Sequence, residues 1–208
     1  MSEAANFNGQ AVHSIVLGSA SPRRRELVQL LGLELPVRIV ASDADESIPP
    51  DLPPAEAAEW LAMRKASSVR ERLGAEAEGT VIIGADTIVV LDGAMLGKPK
   101  DAADARRMLG RLQGRAHDVI TGLAVLDGST GRSKTARGVT RVFMKPLDDE
   151  RIARYVATGE PLDKAGAYGI QGLAAGFVER IEGCYFNVVG LPVSLLGDLL
   201  RAFGVRTI

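Results

Sequence analysis

Apolar positions fall in short bursts separated by glycine, proline and acidic residues, and their spacing alternates between two periods. Ile15, Val16 and Leu17 form a compact apolar run that predicts a first buried strand. Small residues follow at 18–21. Ser21 is placed to cap a helix whose first residue is Pro22, where the missing N–H of proline leaves no bond unmade. That helix is predicted to run to about residue 31, with Leu27, Leu30 and Leu31 on one side, and to stop at Gly32. Residues 35–40 read as a second strand, and the acidic, proline-rich residues 42–54 as a surface loop. Ala58, Leu61, Ala62, Lys65, Ala66, Val69 and Leu73 share one face at helical spacing, which predicts a long helix starting near Pro54.

Residues 80–85 and 88–91 read as two successive strands, the first ended by Gly84-Ala85-Asp86. Asp92-Gly93 marks a hairpin. Asp101 caps a helix carrying Met108, Leu109 and Leu112. Residues 119–126 and 134–143 predict an antiparallel pair, and Asp148 caps a helix carrying Ile152 and Val156. Residues 159–176 are dense in glycine, which suits tight turns or the close approach of a ligand. A strand over 177–181 and a last helix opened by Pro192 complete the order. The whole reads as a mixed α/β domain that does not alternate cleanly enough for a doubly wound sheet.

Composition narrows this picture. Hydrophobic residues make up 46% of the chain and aromatic residues only 4%, so the core must be aliphatic. A length of 208 residues suits one domain, or one domain with a deep cleft. No boundary between lobes is visible; residues 1–13 read as a flexible extension and 14–208 as a single domain. A formal net charge of -1 argues against a general nucleic-acid binder. One cysteine, Cys184, excludes an intrachain disulfide framework and a cysteine-rich zinc site. No stretch approaches the roughly 20 apolar residues of a membrane span, and the first ten residues have neither the positive charge nor the apolar run of a secretory signal. The expectation is a cytoplasmic protein with no membrane partner.

Three segments could carry chemistry. Ser19-Ala20-Ser21-Pro22-Arg23-Arg24-Arg25 sets two hydroxyls and three arginines at a helix start, either a phosphate cradle or a capped helix with solvated arginines. Asp86, followed by Thr87, stands at the end of an apolar strand and is a general base, a metal ligand or a strand-end cap. Residues 163–172 bring Asp163, Lys164, Tyr168 and Gln171 onto a glycine-rich loop. The Gln171 amide presents a donor beside an acceptor and could read the edge of a base; the other reading is a structural loop. Asp45 and Glu46 could supply carboxylates for Mg²⁺ or simply line an exposed acidic loop. Lys65 and Lys98 are phosphate contacts or surface cations. Gly93 to Lys98 fails as a P-loop, with three residues between its glycines and Pro99 after the lysine. The dinucleotide glycine motif and the H-E-x-x-H zinc motif are absent from the sequence.

Taken together, Ser19-Ala20-Ser21-Pro22-Arg23-Arg24, Gly84-Ala85-Asp86-Thr87, Gly97-Lys98-Pro99, residues 163–172 and Val189-Gly190-Leu191-Pro192 resemble the Maf family over roughly residues 14 to 203. The resemblance implies a nucleoside triphosphate pyrophosphatase that cuts between the α and β phosphates, releasing a nucleoside monophosphate and pyrophosphate. It implies a mixed, elongated sheet with flanking helices, in two lobes around a cleft, like that of the inosine triphosphate pyrophosphatases. It also implies a divalent cation, Mg²⁺ or Mn²⁺, and a homodimer. By the same resemblance Asp86 is the proton acceptor; Arg23, Thr87 and Gln171 bear on substrate preference; Ser19, Arg24, Lys65 and Lys98 meet phosphates; Asp163 lines the cleft; Glu46 and Asp86 bind metal. The Ala-Asp-Thr and Gln-Gly variants seen here resemble the subfamily that prefers dTTP and UTP in nucleotide house-cleaning. Two alternatives are a 7-methyl-GTP or broad-specificity pyrophosphatase and a non-catalytic, nucleotide-binding regulator of cell division and septum formation.

Overall fold

The computed structural model describes residues 12–208. Ser14–Leu17 forms β1, buried at every position, as expected of a strand covered on both faces. Pro22–Gln29 forms α1 and Val37–Ile39 forms β2, which lies parallel to β1 with Ile15 opposite Val37. On the other side of β1 lies Thr80–Leu91, β3, also parallel, with Ile15 opposite Val81. Between them in sequence runs Pro54–Leu73, α2. Ala94–Leu96, β4, returns against β3 through the Asp92-Gly93 turn. Ala102–Leu112 is α3, Ala116–Asp127 is β5, Ser133–Met144 is β6, Asp149–Ala157 is α4 and Val178–Glu182 is β7. Tyr185–Val189, α5, and Val193–Arg201, α6, end the chain's regular structure. The seven strands form one mixed sheet in the order β2-β1-β3-β5-β6-β7, with β4 paired to β3 off that path.

Two compact units share this chain. The first comprises residues up to Asp86, Thr121–Gly138 and Gly190–Ile208; the second comprises Thr87–Ile120 and Val139–Val189. No boundary shows in the sequence because the chain passes between the units four times, inside or beside regular elements rather than in a linker. Of the predicted N-terminal extension, residues 1–11 lie outside the described residues. His13 donates its backbone N–H to the Gly79 carbonyl at 2.9 Å.

The first unit is packed by small residues. α2 turns Ala57, Ala58, Ala62, Ala66 and Val69 inward, all fully buried. A Cβ built on Gly84 of β3 would stand 2.0 Å from the Ala62 carbonyl oxygen, and one on Gly122 of β5 2.1 Å from that of Ala58. The helix backbone therefore rests directly on the strands at two glycines. A contact this close leaves no room for a ring between α2 and those strands. The second unit has its own core of Leu91, Leu109, Leu112, Val119, Val142, Ile152, Tyr155 and Phe177, among others. Full burial of a leucine such as Leu109 or Leu112 contributes about 1.5–3 kcal/mol.

Three predicted features are corrected. Gly84-Ala85-Asp86 does not end a strand: β3 runs unbroken for 12 residues, because the small side chains there serve helix approach rather than a turn. Leu30 is exposed; α1 buries Leu27 and Val28, and Leu31 is buried just beyond its end. The helix itself is shorter than predicted, ending at Gln29 with Leu30 as its C-cap.

Candidate active site

The first unit gathers its charges around the end of β1 and the middle of β3. After β1, Ser19 is buried and its hydroxyl accepts the Ser21 N–H at 3.1 Å. Ser21 in turn caps α1, accepting the Arg24 N–H at 3.5 Å. The two serines thus stabilise the turn that launches the arginines. Arg24 donates from Nε to the Gly190 carbonyl at 2.7 Å. Burial of its guanidinium lowers its pKa from the usual arginine value, Asp86 and Glu46 pull it back up, and neighbouring Arg23 lowers it further. An arginine remains charged under such a shift, so this is a half-buried cation balanced by two carboxylates. Arg23 is half-buried and Arg25 exposed.

Asp86 lies within β3, its side chain 13% exposed. Its Oδ1 accepts a hydrogen bond from Lys65 Nζ of α2 at 2.5 Å. Glu46 completes an ionic triad, with Oε1 2.7 Å from the same nitrogen. Lys65, equally enclosed at 13%, does not snorkel to water: two carboxylates within ion-pair distance outweigh that tendency. The rest of the acidic loop is used locally. Asp43 accepts from the Ser68 hydroxyl at 2.6 Å, while Asp45 accepts from Ser47 and pairs loosely with Arg64 at 3.7 Å. Only Glu46 of that loop reaches Lys65, and it is also the open member of the triad, 56% exposed. Among the described residues no group of three or more His, Cys, Asp or Glu side chains forms a ready metal cage.

Thr87, Lys98, Asp163 and Gln171 belong to the second unit. Thr87 is half-buried and Lys98 exposed. The Gly166 N–H donates to the Gly97 carbonyl at 3.1 Å, so the Gly97-Lys98-Pro99 motif and the glycine-rich loop lie side by side. Asp163 is exposed and accepts from Lys164 Nζ at 2.6 Å. Gln171 is exposed. Two further elements, one in each unit, escape sequence reasoning. One is Gly190, which acts through a backbone carbonyl; its only signal is its place in the C-terminal motif. The other is His117, which lies on β5 and belongs to no motif.

His117 is 3% exposed and hydrogen-bonded through Nε2 to the Tyr168 hydroxyl at 2.7 Å. Burial pushes its pKa down to about 4, and burial likewise raises that of the Tyr168 phenol. The imidazole is therefore neutral in the fold, whereas in the unfolded chain it titrates near 6.5. The unfolded state binds the extra proton between these values, so the stabilisation is present above pH 6.5 and is lost as pH falls toward 4. Its full size is about 3 kcal/mol. Urea unfolding across pH 4–7 is expected to show a steeper acid loss for the wild type than for His117→Gln. Parallel curves would place the acid sensitivity elsewhere.

Residues 14–203 match the Maf-like protein family. The chain belongs to that family. It is 52% identical over 194 residues to the dTTP/UTP pyrophosphatase of Pelotomaculum thermopropionicum, covering 93% of this chain and 98% of that one. It is 51% identical over 197 residues to the dTTP/UTP pyrophosphatase of Acetivibrio thermocellus, covering 93% and 97%. Among solved structures, a nucleoside-triphosphatase / dITP/XTP pyrophosphatase from Mycobacterium abscessus aligns over 63% of this chain and 72% of its own, at 18% identity and a TM-score of 0.40. Among the described residues, no helix is long and apolar enough to cross a membrane.

Proposed function

We propose that this chain hydrolyses dTTP and UTP to the nucleoside monophosphate and pyrophosphate. What carries the reading is the meeting of Arg24, Glu46, Lys65 and Asp86 in one unit of a chain about half identical to relatives named dTTP/UTP pyrophosphatases. Phosphoryl transfer asks a protein mainly to hold phosphate charge and to aim a nucleophile. Arg24 and Lys65 supply enclosed cations for the phosphate oxygens, with Arg23, Lys98 and Ser19 as further contacts. Asp86 takes the proton of a water as its oxygen attacks the α phosphorus. The bond from that phosphorus to the bridging oxygen breaks, and pyrophosphate leaves. Thr87 and Gln171 face the pyrimidine in this reading. Thymine and uracil offer a carbonyl acceptor where cytosine offers an amino donor, a difference that an amide's paired donor and acceptor can read.

Glu46 and Asp86 are also the residues that would hold a divalent cation. Their chemistry fits: two carboxylates already share one cationic partner, and Mg²⁺ is commonly held by one or two carboxylates with substrate phosphates and water completing its shell. When bound, such an ion would neutralise phosphate charge. The test is pyrophosphate release with Mg²⁺ or Mn²⁺ across dTTP, UTP, CTP, ATP, GTP and 7-methyl-GTP. Fast release from dTTP and UTP is expected. Preference for 7-methyl-GTP would overturn the substrate, and binding of nucleotide without release from any of them would point to a regulator.

A further inference from the structure

Within the second unit, Gln171 occupies the outer corner of a tight turn. The Gly172 N–H donates to the Gly169 carbonyl at 3.1 Å, making Ile170 and Gln171 the two central residues. Ile170 is buried at 8% exposure and pins the turn from below, while Gln171 is exposed. Both flanking glycines lie under side chains from the preceding segment. A Cβ on Gly172 would stand 2.2 Å from Glu160 Oε1, and one on Gly169 2.7 Å from Lys164 Cε. The Glu160 carboxylate is itself fixed at both oxygens. The Tyr155 hydroxyl donates to Oε1 at 3.0 Å, and the Leu173 N–H donates to Oε2 at 3.0 Å. Tyr155 is 4% exposed and rests edge-on against Phe177, so the carboxylate is tied to the core at one oxygen and to the turn at the other. Lys164 adds a second tie, donating to the Glu160 carbonyl at 2.7 Å.

We propose that Glu160 is a positioning residue for base preference: its carboxylate clamps the turn over residues 169–173 and so sets where the Gln171 amide stands. This rests on the reading of the chain as a dTTP/UTP pyrophosphatase in which Gln171 meets the base. A carboxylate with both oxygens engaged and a glycine pressed beneath it needs shape and charge together. Glu160→Gln keeps the shape but removes the charge: its one oxygen can accept from Leu173, and its amino group can meet the Tyr155 hydroxyl only if that hydroxyl turns round to accept. Two charge-assisted bonds become neutral and roughly half as strong, so the turn loosens and the amide of Gln171 loses its fixed direction.

The readout is the ratio of kcat/KM for UTP to that for CTP. This ratio does not depend on how much enzyme is folded, so a purely structural role would leave it unmoved. In Glu160→Gln it is expected to fall by about 3- to 10-fold, the range of one or two lost hydrogen bonds. Adding Gln171→Ala to Glu160→Gln should lower it little beyond Gln171→Ala alone, because both changes disable the same contact. Tyr155→Phe keeps the ring but removes the donor to the carboxylate together with the hydroxyl's bond to the Gly169 backbone; it should move the ratio the same way, and it carries the test if Glu160→Gln does not fold. A wild type that discriminates, with the ratio unchanged in Glu160→Gln or, if that variant does not fold, in Tyr155→Phe, overturns the role of Glu160 and leaves the activity standing. A wild type that releases no pyrophosphate from any triphosphate overturns the activity and the role together.

Discussion

Asp86→Asn is expected to lower kcat for dTTP by about 10²- to 10⁴-fold, the usual worth of a positioned general base. The substitution is well suited to the question because it is nearly isosteric. Its amide oxygen can still accept from Lys65 Nζ, which now stands 2.5 Å from the carboxylate. Glu46 would continue to balance the lysine. What is lost is negative charge and the ability to take a proton. Stability should change little, so melting curves of the variant and the wild type are the control. A fall in kcat of less than tenfold, with folding intact, would remove Asp86 from the chemistry and leave it as a partner of Lys65. A rise in KM with kcat preserved would assign it to binding alone.

Gly84→Ala is expected to cost about 3 kcal/mol or more, although it adds only one methyl group. The added carbon would stand 2.0 Å from the Ala62 carbonyl oxygen and 2.9 Å from the Ala66 backbone nitrogen. Neither can yield as a side chain can, because both are helix backbone. The helix must lift from the strand, opening the aliphatic core beneath Ala62 and Ala66. For a chain of this length the loss corresponds to a fall in Tm of about 6–12 °C. The same substitution at Gly110, on the exposed side of α3 with nothing within 4 Å, should raise stability by about 0.5–1 kcal/mol through helix propensity. Equal effects at the two glycines would show that close approach at Gly84 is not what holds the first unit together.

Elements with strong local signals were legible in the sequence. Asp101 and Asp148 cap α3 and α4, accepting N–H groups at 2.8 and 2.7 Å. Ser21 opens α1, and Asp92-Gly93 closes the hairpin. The features that escaped depend on distant partners. Gly84-Ala85 reads as a break until a helix lies across it. Lys65 reads as a phosphate contact or a surface cation until Glu46 and Asp86, from a loop and a strand, converge on it. The short α5 has too few residues for periodicity; its Asn187, fully buried, donates to the Val119 carbonyl and to Thr140, contacts that no local pattern announces. Of the site, residue types and motif positions were visible early. The ties that orient them, through the Gly190 carbonyl to Arg24 and through Tyr155 to Glu160, were not: a backbone acceptor leaves no spacing to read, and a phenol five residues before its carboxylate, across a helix end, falls outside the helical repeat.

The fourfold passage of the chain between its two units also bears on how such a protein can be cut or recombined. Neither unit is a contiguous stretch of the gene. A stop codon after Val189 would leave the second unit's residues complete, yet it would remove α6 and the Gly190 carbonyl that receives Arg24, damaging the opposite end of the chain. The second unit cannot be moved into another protein as a cassette, because excising Thr87–Ile120 and Val139–Val189 divides three strands in mid-run. Moving the second unit as a block therefore takes four junctions, three of them inside strands, whereas point substitution on the loops takes none.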